Sequence, residues 1–259
     1  MFCYYLAVYS CHVINNPDRI IFHYHHEPRG LWWEKTKEIP GLELVRVSMP
    51  ETLGPHRIIR TAHKADVVRM GALYEAGGVY LDIDTICVRP WAELLDNQVV
   101  LGKEKSFPGI PDGICNAIMM TEPKSRFFAE WMANYPRVFN PLGWREASIV
   151  LPRMLAEKRP SWLRLKEPSF FFIPSWDETE KIFDADVEVH DDLIALHLWE
   201  SYSLPRLKTI EGWDWARRNP NTLYGRIMNL VKTRAEMEGL DCTRLHAAKE
   251  QPMRNDAPE

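Results

Sequence analysis

Asp82 and Asp84 stand two residues apart at the end of the run Gly77-Gly78-Val79-Tyr80-Leu81. On a regular strand that spacing puts both side chains on one face. Two carboxylates side by side repel unless a cation lies between them. Hard oxygen ligands suit Mg²⁺ or Mn²⁺, and both metals commonly arrive carrying phosphate. The pair therefore predicts a divalent-metal site that holds a diphosphate. Asp66 and Arg69 are three residues apart on a predicted helix. On a surface such a pair adds only about 0.2–0.5 kcal/mol. Their stripe also carries Ala62 and Leu73, so the pair is expected to be buried, where paired charges need a reason. His197 stands on the apolar run Leu196-His197-Leu198-Trp199 and reads either as a satisfied core residue or as a ligand. Trp199 and Ser203 bring an indole N–H and a hydroxyl, both able to donate to phosphate oxygens. His23, His25 and His26 cluster in sequence but have no carboxylate or cysteine at ligand spacing, so they are not read as a metal site.

These residues need elements to hold them. Residues 3–14 read as a mostly buried helix, followed by the turn Asn15-Asn16-Pro17-Asp18. Strands are expected at 20–25 and 42–47. Apolar residues recur every three to four positions from Ile58 to Ala76, which predicts a helix stopped by Gly77-Gly78. Residues 79–83 read as a central buried strand leading to the acidic pair. Further strands are expected at 99–101, 115–120, 170–173 and 193–199, and helices at 124–135, 145–158 and 221–238. Alternating strands and helices imply an α/β fold with a mostly parallel sheet covered on both faces. The domain is read as residues 1–238, with 239–259 a partly disordered polar tail.

The segment from His63-Lys64-Ala65-Asp66-Val67-Val68-Arg69 through Gly77-Gly78-Val79-Tyr80-Leu81-Asp82-Ile83-Asp84-Thr85 resembles the sugar-nucleotide glycosyltransferases of glycosyltransferase family 32. The helix with Asp and Arg three apart, the double glycine and the tyrosine before the acidic pair carry the likeness, which runs from about Tyr4 to about Tyr202. The resemblance implies a GT-A fold, an α/β/α sandwich. It implies metal-dependent, retaining transfer of a hexose from a nucleotide-diphosphate sugar to a hydroxyl of a glycan, lipid or protein. By the same likeness Asp82, Asp84 and His197 hold Mn²⁺ or Mg²⁺, with Asp84 binding directly and Asp82 reaching ribose or the metal through water. Asp66 and Arg69 reach the donor sugar and join the two acidic residues as the catalytic set. Tyr80, Asn116, Trp199 and Ser203 complete the donor-binding set. Trp144 and Trp176 are expected on the acceptor side. Family members begin with a strand before the helix at 3–14, so the first strand is expected to be missing here, leaving an uncovered apolar edge beside the acidic pair.

Composition narrows the classes. The 259 residues suffice for one α/β domain. Lys plus Arg is 32 and Asp plus Glu is 36, a net charge of −4, which argues against nucleic acid as a partner. Five cysteines without close pairing suit a reducing compartment. The apolar start is too short to span a bilayer and lacks a basic leader. A cytoplasmic protein is expected, with peripheral membrane association if its acceptor is lipid-linked. Two other classes compete. Asp82-Ile83-Asp84-Thr85 approaches the nucleophile motif of haloacid-dehalogenase phosphohydrolases, with Asp82 attacking. A silent sugar-nucleotide binding protein would share the metal site without turnover.

Overall fold

A computed structural model describes residues 1–240; the predicted tail from residue 241 onward lies outside the described residues. The chain opens on α1 (Phe2–Asn15), whose apolar character on all sides matches its burial on almost all sides. It ends at Asn16, which takes the left-handed conformation at φ 42° and returns its N–H to the His12 carbonyl. β1 (Ile20–Tyr24) pairs in parallel with β2 (Leu42–Arg46) across α2 (Leu31–Lys37). A small hairpin, β3 (Thr52–Leu53) and β4 (His56–Arg57), leads into α3 (Thr61–Ala76). Then come β5 (Gly78–Leu81), β6 (Thr85–Cys87), β7 (Val99–Glu104) and β8 (Gly113–Thr121). The helices α4 (Arg126–Val138) and α5 (Leu151–Lys158) precede β9 (Arg164–Lys166). The last part holds α6 (Glu180–Phe183), β10 (Ala195–His197), α7 (Glu200–Leu207), α8 (Asp214–Arg218) and α9 (Leu223–Met237).

The largest sheet runs in the order β5-β8-β7-β9. Its two faces feed two cores. Val100, Cys115 and Met120 join α1, α9 and β10 on one side. Val99, Leu101 and Met119 join Phe128 and Trp131 of α4 and Leu151 and Leu155 of α5 on the other. This is the expected α/β/α layering, with a correction to its strand directions. Four of the six ladders among the described residues are antiparallel, including both that flank β8. The short loop from β7 to β8 is of hairpin kind and returns the chain antiparallel, where a parallel neighbour needs a long crossover. β5 is also an edge of this sheet, not its centre. No ladder joins β1–β2 to β5 or to the β6–β10 pair.

Three further predicted elements differ. Residues 170–173 form no strand: a 3-10 turn covers Pro168–Phe170, and the following backbone bonds out to β10 and the segment before it, as His197 N–H does to Phe171 O. Residues 145–158 split into a π-turn over Glu146–Val150 and then α5. The acidic pair itself lies beyond the end of β5, in a turn closed by the Thr85 N–H on the Asp82 carbonyl at 3.0 Å.

The double-glycine stop is required by space as well as by backbone. Gly77 has φ 66° and ψ −163°, a region open in practice to glycine alone. A Cβ there would come within 2.6 Å of Pro123 Cδ and 2.9 Å of Thr121 O. Gly78 has φ 100° but meets nothing within 4 Å. Gly77→Ala therefore carries both strain and overpacking and is expected to cost about 2–5 kcal/mol. Gly78→Ala carries strain alone and should cost about 1–3 kcal/mol. Urea denaturation of the two variants checks the order; equal losses would remove the steric part of this account.

Candidate functional site

The site begins with α3, whose inward stripe is polar. Asp66 and Arg69 are only 5% and 8% exposed, so the predicted burial of this pair holds. Asp66 accepts from the Asn116 amide at 2.7 Å on Oδ1 and from the Tyr135 hydroxyl at 3.0 Å on Oδ2. Arg69 Nη1 donates to the Asn116 carbonyl at 2.9 Å and lies 2.9 Å from Asp82 Oδ1. Its guanidinium also stacks over the Tyr80 ring at 4.7 Å. Burial alone would favour the neutral form, but Asp82 first and Asp66 with it hold Arg69 firmly charged.

Asn116 reaches this position because β8 bulges. The β7–β8 register moves from Leu101↔Met119 to Gly102↔Cys115, which leaves residues 116–118 unpaired on that side. Bulges re-aim side chains in this way. The bulge also presents the Ala117 carbonyl to the Asp82 N–H at 2.8 Å.

Each of the two acidic residues turns one oxygen to neighbouring donors and the other toward His197. Asp82 Oδ1 takes the Tyr80 hydroxyl at 2.6 Å together with Arg69. Asp84 Oδ2 takes the Glu200 backbone N–H at 2.8 Å, at the start of α7. The remaining oxygens meet His197: its Nε2 lies 3.3 Å from Asp84 Oδ1 and 3.9 Å from Asp82 Oδ2. Ligand atoms of all three residues lie within 4.8 Å of one another. Two ligands about 2.1 Å from a common ion lie up to about 4.2 Å apart; both distances from His197 Nε2 fall under that limit, and the donor set of two carboxylates and an imidazole suits Mn²⁺ or Mg²⁺. No other such group occurs among the described residues. Burial pushes Asp82 up against the pull of Arg69 and His197. Burial would also raise Asp84, but His197 and the Glu200 N–H bring it below the ordinary carboxylate range. For His197 burial favours the neutral ring, yet Asp84 and Asp82 outweigh it and raise the imidazole. Arg69, held charged, thus already supplies part of the positive charge that the acidic pair requires.

Two predicted donors already give their polar hydrogens to protein carbonyls. The Trp199 indole N–H donates to the Pro174 carbonyl at 2.9 Å. Ser203 is buried and its hydroxyl donates back to the Leu198 carbonyl at 2.6 Å, with Trp199 O at 3.1 Å. Both corrections have one cause: Trp199 adopts φ 55° and ψ 55°, which turns the chain into α7 and brings the Ser203 hydroxyl under its first turn.

Tyr80, Asp82, Asp84, Asp66, Arg69, Asn116, His197 and Trp199 line one cavity of about 1220 Å³. Trp144 and Trp176 line it too, with Ser203 outside. Sequence reasoning missed Glu104, a buried carboxyl on the same wall whose burial pushes it up. Its signal was the alternation Val100, Gly102, Glu104 along β7, which places it on the face of Val100. Arg145, which donates to Ser106 Oγ at 2.6 Å, was missed as well.

Comparison with known proteins agrees with this geometry. Residues 6–101 match the family described as the glycosyltransferase sugar-binding region containing the DXD motif. The chain is 35% identical to "Glucan organizing enzyme 1" of Cryptococcus neoformans, over 84% of this chain and 61% of that protein. It is 30% identical to "Initiation-specific alpha-1,6-mannosyltransferase" of Candida albicans, over 36% of this chain and 23% of that protein. The chain thus spans less than two thirds of the length of either relative. In fold it is similar to the apo glycosyltransferase GlyE of Streptococcus pneumoniae, with a TM-score of 0.50 and 16% identity over 91% of this chain and 61% of that one.

Asp84→Asn tests the metal assignment. The amide keeps an oxygen for the Glu200 N–H but loses the charge that faces His197. Mn²⁺ affinity, read by calorimetry or by the Mn²⁺ electron-spin-resonance signal, should fall at least about 100-fold, beyond the 10–100-fold usual for residues that only orient a ligand. Unchanged Mn²⁺ binding would place the metal elsewhere.

Proposed function

We propose that this chain, a member of the family of glycosyltransferase sugar-binding regions containing a DXD motif, transfers a hexose from a nucleotide-diphosphate sugar to a hydroxyl of a glycan. One observation supports this above the others: one oxygen of Asp82 and one of Asp84 converge on His197 Nε2, at 3.9 Å and 3.3 Å, while their second oxygens are held by Tyr80 and by the Glu200 N–H. A site arranged in this way suits a divalent cation, which Asp82, Asp84 and His197 would hold and which would offset charge on a departing diphosphate.

The chain's own groups divide the remaining work. Arg69 presents a rigid guanidinium on the cavity wall, fixed by Asp82 and Asn116, and can donate to sugar hydroxyls. Asp66 already takes one bond on each oxygen, and an ionised carboxylate has further lone pairs to accept from a sugar hydroxyl. Asn116 locks these two together. Glu104 is a buried carboxyl on the same wall, pushed up by burial, and this reading gives it no covalent role. Retention of configuration follows in this reading from attack on the face the diphosphate leaves, with positioning supplying much of the rate. The names of the relatives, one organizing glucan and one transferring mannose, support a glycan acceptor over a protein one.

The phosphohydrolase alternative has less support. Its nucleophile would be Asp82, one of whose oxygens is tied by Tyr80 and Arg69, and its residues fall in a segment matching a transferase family. A panel of UDP- and GDP-sugars, with release of free nucleoside diphosphate as readout, tests the proposal. Activity should require Mn²⁺ or Mg²⁺ and vanish with a chelator. Arg69→Lys should slow turnover about 10- to 100-fold, as expected for losing a hydrogen bond from a charged group worth about 1.5–3 kcal/mol. If no donor in the panel is consumed or raises the melting temperature, while phosphate esters are hydrolysed, the alternative is the right reading.

A further inference from the structure

Three aromatic side chains at the cavity wall have no role in the donor site described above. Phe107 lies in the loop between β7 and β8, Trp176 precedes α6, and Tyr202 lies in the first turn of α7. Their rings form a continuous strip: Phe107 and Trp176 have centroids 4.7 Å apart, Trp176 and Tyr202 5.6 Å. All three line the same cavity as Asp82, Asp84 and His197. Phe107 and Tyr202 are nonetheless 47% and 57% exposed. A folded chain gains little by gathering large rings from three separate segments and leaving them in water.

The strip is fixed and has polar edges. The Trp176 indole N–H donates to the Lys105 carbonyl at 3.1 Å. Lys105 pairs in turn with Asp177 at 3.0 Å. The Arg145 guanidinium lies 5.6 Å from the Phe107 ring. Ring faces bordered by donors and acceptors of both signs match a ligand that alternates apolar faces with hydroxyl edges. A sugar chain has that character. A lipid tail would leave the Lys105, Asp177 and Arg145 edges unmatched, and a strongly anionic polymer would meet Asp177. Space allows it, since a cavity of about 1220 Å³ exceeds the roughly 300–1,000 Å³ usual for one small ligand.

We propose that Phe107, Trp176 and Tyr202 form an acceptor platform that binds a neutral oligosaccharide by stacking successive sugar rings, in the cavity that also holds the donor site. The inference rests on the transferase reading for the word acceptor. The platform itself rests only on the rings and their edges.

The test uses the full chain and neutral gluco- and manno-oligosaccharides of two to six units, followed by saturation-transfer NMR and calorimetry without donor or metal. In parallel, the thermal shift produced by a nucleoside diphosphate with Mn²⁺ reports the donor site. Wild-type protein is expected to bind oligosaccharides more tightly than the free monosaccharide. Phe107→Ala and Tyr202→Ala, both at exposed positions, should each weaken that binding about two- to tenfold, and the double variant should weaken it further. Trp176→Phe keeps a ring while releasing the Lys105 carbonyl, and should weaken binding less than Tyr202→Ala. The thermal shift should persist in all of them. Unchanged oligosaccharide affinity in the double variant, or none in the wild type, overturns the platform. Binding of a peptide or of phosphatidylcholine vesicles through these rings in place of oligosaccharide overturns it too. Loss of oligosaccharide binding in the variants with no thermal shift in the wild type leaves the platform standing and removes the donor reading instead.

Discussion

The contact between Arg69 and Asp82 holds the site together. It joins α3, the turn after β5 and, through Asn116, the bulge of β8. Three carboxylates, those of Asp66, Asp82 and Asp84, meet one guanidinium and one imidazole in a buried region. Removing one partner of such a buried group typically costs about 3–5 kcal/mol, so the network is stable only as a set. In the proposed reading a divalent cation held by Asp82, Asp84 and His197 would lessen the repulsion between the paired carboxylates. A buried cluster of ionisable groups drawn from several segments is weak as a device for stability alone.

Much of this could be read in the sequence because it is local. The Gly-Gly stop, the acidic pair and the Asp66/Arg69 spacing all depend on residues within a few turns of one another. Burial of the α3 stripe followed from Ala62 and Leu73 beside the charges. Strand direction did not follow, because a period of two fixes which face a residue takes and carries no information on which way its neighbour runs. The bulge at residues 116–118 was invisible for a related reason: it exists only as a mismatch between two strands. Trp199 and Ser203 were misread because their partners, Pro174 O and Leu198 O, are set by a single left-handed residue that no side-chain pattern announces. The rings of Phe107 and Tyr202 carry no periodic signal, since three unrelated segments bring the strip together.

Correcting the strand directions also clarifies how the site is positioned. Because β8 runs antiparallel to both β5 and β7, it can bulge toward one while keeping its ladder with the other. Asn116 gains its position in this way, and the Asp82 N–H gains a partner in Ala117 O. Placing β5 at an edge of the sheet then leaves the turn 82–85 open to the cavity. A central strand would have had a neighbour on each side of that turn. The acidic pair converges on His197 through this turn and through the β6–β10 ladder, where Thr85 pairs with His197, with no need of a regular strand geometry.

Asp84 gives the site a further property. One of its oxygens faces the candidate metal position, and the other accepts the Glu200 N–H at the start of α7. A carboxylate bonded to a helix N-terminus satisfies an orphan donor and is favoured by the helix dipole. The same first turn carries Tyr202, one ring of the aromatic strip. Asp84 and the element that presents Tyr202 are therefore joined by one side chain and one backbone bond. Trp199 tightens this link: its left-handed backbone starts α7, and its ring lies 4.3 Å from His197 by centroid. The proposed donor and acceptor walls would thus share α7 as a common support, with the two carboxylate oxygens of Asp84 between them.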